Sequence, residues 1–181
     1  MDSAHLLVRG EPAAAASAPF DGRELRRTLG QFATGVTVVT TRGAGGRRVG
    51  LTANSFSSVS LDPPLVLWSL SRGSPSLADF LGASHFGINV LAADQHHLSR
   101  RFATPQPDKF QGVAWREGPA GVPLLEGVLA RLVCRNVRQY DGGDHVILIG
   151  GVEHHECFGG EPLVFHSGCY RVATCHPEFA Q

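Results

Sequence analysis

Lysine is nearly missing from this 181-residue sequence: Lys109 is the only one among 16 basic residues. We read that scarcity as composition bias, with little functional content. Sixteen acidic residues balance the basic ones, for a formal net charge of +0. A nucleic-acid binder needs a basic excess to neutralise phosphates, so nucleic acid is excluded as the main partner. Charged residues make up only 18%, but the balance of signs also excludes an acidic disordered chain. No apolar run approaches the ~18 residues of a membrane span. Leu6–Val8 is too short for the core of a secretory leader, and Arg9 follows it instead of preceding it. The four cysteines (Cys134, Cys157, Cys169, Cys175) form no C-x-x-C pair. These absences lead to the expectation of a cytoplasmic protein with reduced thiols and no membrane contact.

Familiar catalytic signatures are missing too. There is no G-x-G-x-x-G after a strand, no Walker A and no G-x-S-x-G. No H-E-x-x-H occurs among the nine histidines. A metal site built from His145, His154 and Cys157 would lack the tight ligand spacing of zinc sites. The histidines read mainly as surface residues, and no metal is expected.

What the chain has in excess is glycine, 22 residues, with 11 prolines. Without a collagen period, that composition suits short strands joined by tight turns. Residues 1–20, rich in alanine, read as a mobile arm. Residues 21–175 read as one domain and 176–181 as a tail. Asp21 and Glu24 have capping-box spacing, and Leu25, Leu29 and Phe32 follow with helical period. That predicts a short helix ended by Gly35. Val36–Thr41 and Arg48–Asn54 predict a hairpin across the glycine turn 43–46. Ser55–Ser60, Leu65–Leu70 and Phe86–Leu91 read as further strands. Ser74 and Pro75 are placed to open a helix, and Asp94 another. Residues 103–127 read as loop. Val128–Tyr140 and His145–Cys157 read as long strands, and Leu163–Phe165 as a last short one. About seven strands follow one another by hairpins, with three short helices. This predicts a mainly antiparallel β-barrel with helices at its rim.

Three stretches carry chemistry. Gly50–Leu65 is dense in small hydroxyl and amide side chains, which let a planar ligand lie against backbone. Composition alone favours a plainer reading, a strand with one exposed serine face. Ser71-Arg72-Gly73-Ser74-Pro75-Ser76 gathers hydroxyls, one cation and a helix start, as a phosphate site would. It also reads as plain helix capping. Gly143-Asp144-His145 sets an imidazole beside a carboxylate at the start of an apolar strand. It also reads as a hairpin turn.

Together with Gly35–Thr40, Leu51–Ser60, Pro63-Pro64, Phe86–Leu91 and Asp108-Lys109-Phe110, these stretches resemble the small flavin reductases of two-component flavin-dependent monooxygenases. The resemblance spans about residues 22–172. It implies an FMN-binding split β-barrel, a homodimer, and reduction of FMN or FAD by NADH or NADPH. Reduced flavin would then pass to a partner monooxygenase. It implies that Thr52, Ala53, Asn54 and Ser55 line the isoalloxazine and ribityl chain. Ser71, Arg72 and Ser76 would hold the phosphate, and Phe86 would border the flavin. His145 would lie on the nicotinamide side, with Phe165 and Tyr170 near it. Three other readings stay open: a non-catalytic flavin- or haem-binding barrel, a pyridoxine-phosphate oxidase-like enzyme, and a metal-dependent protein.

Overall fold

A computed structural model describes residues 21–179. The expected arm over 1–20 and the last two residues of the tail lie outside the described residues. Asp21 opens helix α1 (Gly22–Leu29), its carboxylate accepting from the Arg23 N–H at 2.8 Å. The helix stops at Gly30, whose N–H donates to Arg26 O. Gly35, expected to end it, belongs to a two-residue strand, β1 (Thr34–Gly35). The apolar stripe of α1 is present but buries nothing: Leu25, Leu29 and Phe32 are exposed.

Strand β2 (Thr37–Arg42) is buried from Thr37 to Thr41. Its β-branched residues suit a strand covered on both faces. The buried hydroxyls all find acceptors: Thr37 donates to Ala53 O, Thr40 to Pro123 O and Thr41 to His85 O. A glycine turn, with Gly45 and Gly46 at positive φ, leads into the antiparallel β3 (Arg48–Ala53). Next comes a hairpin of β4 (Ser57–Leu61) and β5 (Pro64–Ser71). Helix α2 (Leu77–Gly82) begins later than the sequence suggests. Ser74 Oγ accepts from the Ser76 N–H and so shapes the preceding turn.

Strand β6 (His85–Val90) is followed by helix α3 (His96–Ala103). Asp94 does not cap it. Gln95 Oε1 accepts from the Ala92 N–H, fixing the preceding 3₁₀ turn instead. The expected loop at 103–127 contains a small hairpin, β7 (Trp115–Glu117) and β8 (Pro123–Leu125). Strands of three residues show no period in sequence. The chain closes with the long strands β9 (Ala130–Gly142) and β10 (His145–Cys157). After them comes the short hairpin β11 (Leu163–His166) and β12 (Cys169–Val172).

Seven strands form one antiparallel sheet in the order β3-β2-β6-β9-β10-β5-β4, and β1-β11-β12 form a smaller one. Alternation sends Val66, Trp68 and Leu70 of β5 and Val146 and Leu148 of β10 to one face. There they meet Phe80, Phe86 and Ile88. Trp68 packs edge-on to Phe80 and Phe86, with centroids 5.0 and 5.8 Å apart. Gly150 is obligatory here: a Cβ would sit 2.6 Å from the Phe86 ring. A second core, with Val36, Leu98, Phe102, Phe110, Leu125 and Leu163, packs α3 and the small sheet against the large one. The sheet curls until the segment after β3 reaches β5, where Ser55 is hydrogen-bonded to Ser69. The result is the expected barrel, split along β3. No described helix is long and apolar enough to cross a membrane.

Candidate active site

Strand β3 is the edge of the large sheet, so alternate backbone N–H and C=O groups along it lack a strand partner. A cleft of about 560 Å³ runs beside it, a size suited to a small molecule. Its walls are β3 and the turn after it, the end of β5, the turn before α2, and the end of α3 with its proline-rich loop. Register brings His145 into the same wall, because it pairs with Ser71 across β10 and β5.

The polar groups of the lining are not equivalent. Thr52 Oγ1 donates to Ser99 O at 2.6 Å, so only its lone pairs remain for a ligand. Ser55 Oγ is committed to Ser69 in both directions. Asn54 is exposed and carries no side-chain hydrogen bond among the described residues, so its amide offers both donor and acceptor. Ser71 Oγ accepts from the Gly73 N–H at 3.2 Å. Ser76 has no side-chain bond among the described residues. Ala53 supplies bare backbone. His145 Nδ1 pairs with Asp144 Oδ1 at 2.7 Å. That bond, and the nearby imidazole charge, hold the Asp144 carboxyl below the usual carboxylate range.

Seven of the residues singled out in the sequence thus meet at the cleft: Thr52, Ala53, Asn54, Ser55, Ser71, Ser76 and His145. Four do not line it. Arg72 turns the other way, its Nε donating to Gly143 O and its Nη2 to Asp141 Oδ1. That pairing keeps the Asp141 carboxyl low. Phe86 is fully buried inside the barrel. Phe165 and Tyr170 pack edge to face at 5.6 Å on the small sheet. Tyr170 reaches the site only indirectly: its hydroxyl pairs at 2.8 Å with Ser99 Oγ, and Ser99 also holds Thr52. The postulated metal set fails on geometry. His145, His154 and Cys157 lie on one strand, with His154 about 30 Å along from His145.

The sequence reading missed the cations. Arg47, Arg48 and Lys109 line the cleft, and among the described residues no Asp or Glu does. Arg47 is paired with Asp79 at 2.7 Å. Arg48 reaches Asp108 at 3.4 Å and stacks over Trp115 at 4.9 Å. Lys109 donates to Phe102 O at 2.6 Å. Its place in Asp108-Lys109-Phe110 was the available signal.

Among the described residues, the cleft along the β3 edge is lined by small polar side chains and three cations and by no carboxylate, a lining that suits a flat, anionic small molecule. The model of the flavin reductase like domain matches residues 29–174, and the chain belongs to that family. It is 46% identical over 150 residues to the FMN reductase (NADH) SmoA of Agrobacterium fabrum, covering 83% of this chain and 85% of that one. It is 46% identical to the reductase component of the flavin-dependent trigonelline monooxygenase of Acinetobacter baylyi, of which it spans 48%. The solved structure of the NADH:FAD oxidoreductase SgcE6 of Streptomyces globisporus, in complex with NAD and FAD fragments, superposes with a TM-score of 0.83. It is 38% identical, covering 92% of this chain and 100% of that one.

Proposed function

We propose that this protein is an NADH-dependent flavin reductase that passes reduced FMN or FAD to a separate monooxygenase. The observation that carries the reading is the cleft: a backbone edge, small polar side chains, three cations and, among the described residues, no carboxylate. Those residues fit a flat ring system bearing phosphate. The flavin, when bound, supplies the hydride-accepting chemistry. The chain's own residues bind and orient. Ala53 leaves room against the backbone, Asn54 offers an amide to ring carbonyls, and Thr52 accepts. Ser71 and Ser76 add hydroxyls at the far wall. His145, fixed by Asp144, is assigned to the nicotinamide side. Tyr170 acts through Ser99 as a positioning residue, with Phe165 packed beside it.

The chain is read as a homodimer. Val59, Leu61 and Tyr140 are exposed on the outer sheet face, beside a groove lined by Pro63, Pro64, Val137 and Ile149. A second copy would cover this face, and light scattering on the purified protein tests that. A cytoplasmic location is in keeping with four cysteines that are all unpaired.

The purified protein should oxidise NADH only when FMN or FAD is added. Absence of both flavin-dependent oxidation and flavin binding would overturn the reading. Tight flavin retention without turnover would favour a flavin-binding protein on the same barrel.

A further inference from the structure

Away from the cleft, one cluster joins a hydroxyl, an imidazole and a carboxylate in a row. Ser84 Oγ lies 3.0 Å from His85 Nδ1, and His85 Nε2 lies 3.1 Å from Glu153 Oε2. The carboxylate sets the tautomer: Nε2 carries the proton that Glu153 accepts, and Nδ1 is left to accept from the Ser84 hydroxyl. That is the state a general base needs. Arg135 Nε donates to Glu153 Oε1 at 3.1 Å, and its two Nη groups make no hydrogen bond among the described residues. Ser84 is exposed, and the His85 side chain is 20% exposed. None of these four residues lines the cleft.

Three strands hold the cluster. His85 begins β6 and pairs with Arg135 of β9. Ser84 O accepts from the Asn136 N–H at 2.8 Å, and His85 O accepts from Thr41 Oγ1 at 2.7 Å. Phe86 points into the barrel core, so alternation puts His85 on the outer face. Glu153 arrives through an irregularity in β10. Val152 pairs with Cys134 and His154 with Val133, which leaves Glu153 as the extra residue of a β-bulge. Bulges re-aim side chains and are frequent beside active sites. This one turns a carboxylate onto an imidazole. Stability is a weak reason for the arrangement, because ion pairs this exposed add roughly 0–1 kcal/mol.

We propose that Ser84 is a nucleophile for acyl transfer, with His85 as its base and Glu153 as the positioning residue of the imidazole. Arg135 supplies the cation for the charge that develops on the substrate oxygen. The substrate class is a small carboxylic ester with a good leaving group. Ser84 Oγ bonds to the carbonyl carbon, and its proton passes to His85 Nδ1. The bond from that carbon to the leaving oxygen breaks, and the proton goes to the departing alcohol. Water then cleaves the acyl-serine with the same base, releasing the acid and restoring Ser84. The step uses no redox partner and does not rest on the flavin reading.

The test is labelling of the native protein with an alkyl fluorophosphonate, which traps an activated serine with loss of fluoride, read by peptide mass mapping. Hydrolysis of 4-nitrophenyl acetate is followed in parallel. Wild type should be labelled at Ser84, and Ser84→Ala should lose both the label and the ester turnover. His85→Ala should slow labelling by about a hundredfold, the low end of what a positioned base supplies. Glu153→Gln keeps a hydrogen-bonding group and removes the charge. It should slow labelling by about tenfold at an unchanged melting temperature. Flavin-dependent NADH oxidation should be the same in all three variants. Thermal melting checks folding, and Ser84→Gly or His85→Gln replaces a variant that does not fold. No label on Ser84, or a label on other serines in preference to it, would overturn the assignment. So would a His85→Ala variant labelled at the wild-type rate. Loss of NADH oxidation in the folded variants would overturn the separation of this site from the cleft.

Discussion

One hydroxyl ties Ser55 to Ser69 twice. Ser55 Oγ accepts the Ser69 N–H at 2.9 Å and donates to Ser69 O at 3.1 Å. Ser55 follows β3 and Ser69 lies in β5, so this contact stands where a strand ladder would have closed the barrel. Ser55→Ala should therefore act on stability before it acts on binding. Leaving both backbone groups unpaired at a half-buried position costs about 1–2 kcal/mol. In a chain of this size that lowers the melting temperature by roughly 2–4 °C per kcal/mol. Because the hydroxyl has nothing left for a ligand, FMN affinity should change by less than about threefold. A large loss of FMN affinity at an unchanged melting temperature would contradict this assignment.

Gly50 lets β3 pack tightly against α3. A Cβ there would lie 2.6 and 2.8 Å from two carbons of the Phe102 ring and 3.3 Å from Phe110. Phe102 is fully buried and cannot swing away. Gly50→Ala should cost about 1–3 kcal/mol through overpacking. It should also weaken FMN binding, since both Gly50 and Phe102 line the cleft. Melting curves and flavin titration on the same preparation check the two effects together.

Where the sequence was legible, length and side-chain branching explain why. Strands β2, β5, β9 and β10 are long or rich in β-branched residues, and the β2–β3 and β9–β10 turns carry glycine. Helix ends were less legible, because their capping partners lie elsewhere than the local pattern suggests: Gln95 fixes the turn before α3, and Gly30 ends α1. Phe86 illustrates the limit for the site. A period of two cannot say which face of β6 looks inward, and Phe86 looks inward. Arg47, Arg48 and Lys109, the cations of the cleft, were hard to assemble for another reason, although the Asp108-Lys109-Phe110 motif pointed to one of them. Two of them follow a hairpin turn, and the third lies some sixty residues on. Only the fold sets all three along one cleft.

Cys134 should resist alkylation. It is fully buried, and burial, with the Glu153 charge adding to it, pushes its thiol up to about 12. The thiolate is the reactive form, and at pH 8 almost none is present. The other three cysteines are exposed. Iodoacetamide on the native protein should modify Cys157, Cys169 and Cys175, with Cys134 following only after denaturation. Peptide mass mapping reads the order directly, and early labelling of Cys134 would contradict its placement in the barrel core.

His145 and Asp144 should separate hydride donor from flavin. The bond from His145 Nδ1 lowers the Asp144 carboxyl in the folded chain. A depressed carboxyl contributes above its unfolded value, about pH 4, and the contribution is lost as pH falls through the lower folded value. The pair is thus intact throughout neutral conditions, and it orients the imidazole at the cleft wall opposite Ser71. In the proposed reaction His145→Ala should lower kcat/KM for NADH by about tenfold or more. FMN affinity should move by less than about threefold. Asp144→Asn keeps a hydrogen-bonding group and removes the charge, so its loss should fall between wild type and His145→Ala. Steady-state kinetics with NADH varied at saturating FMN, set beside flavin titration, distinguish the outcomes. Equal losses in both measurements would show that His145 serves the cleft as a whole, and no change in either would remove it from the site.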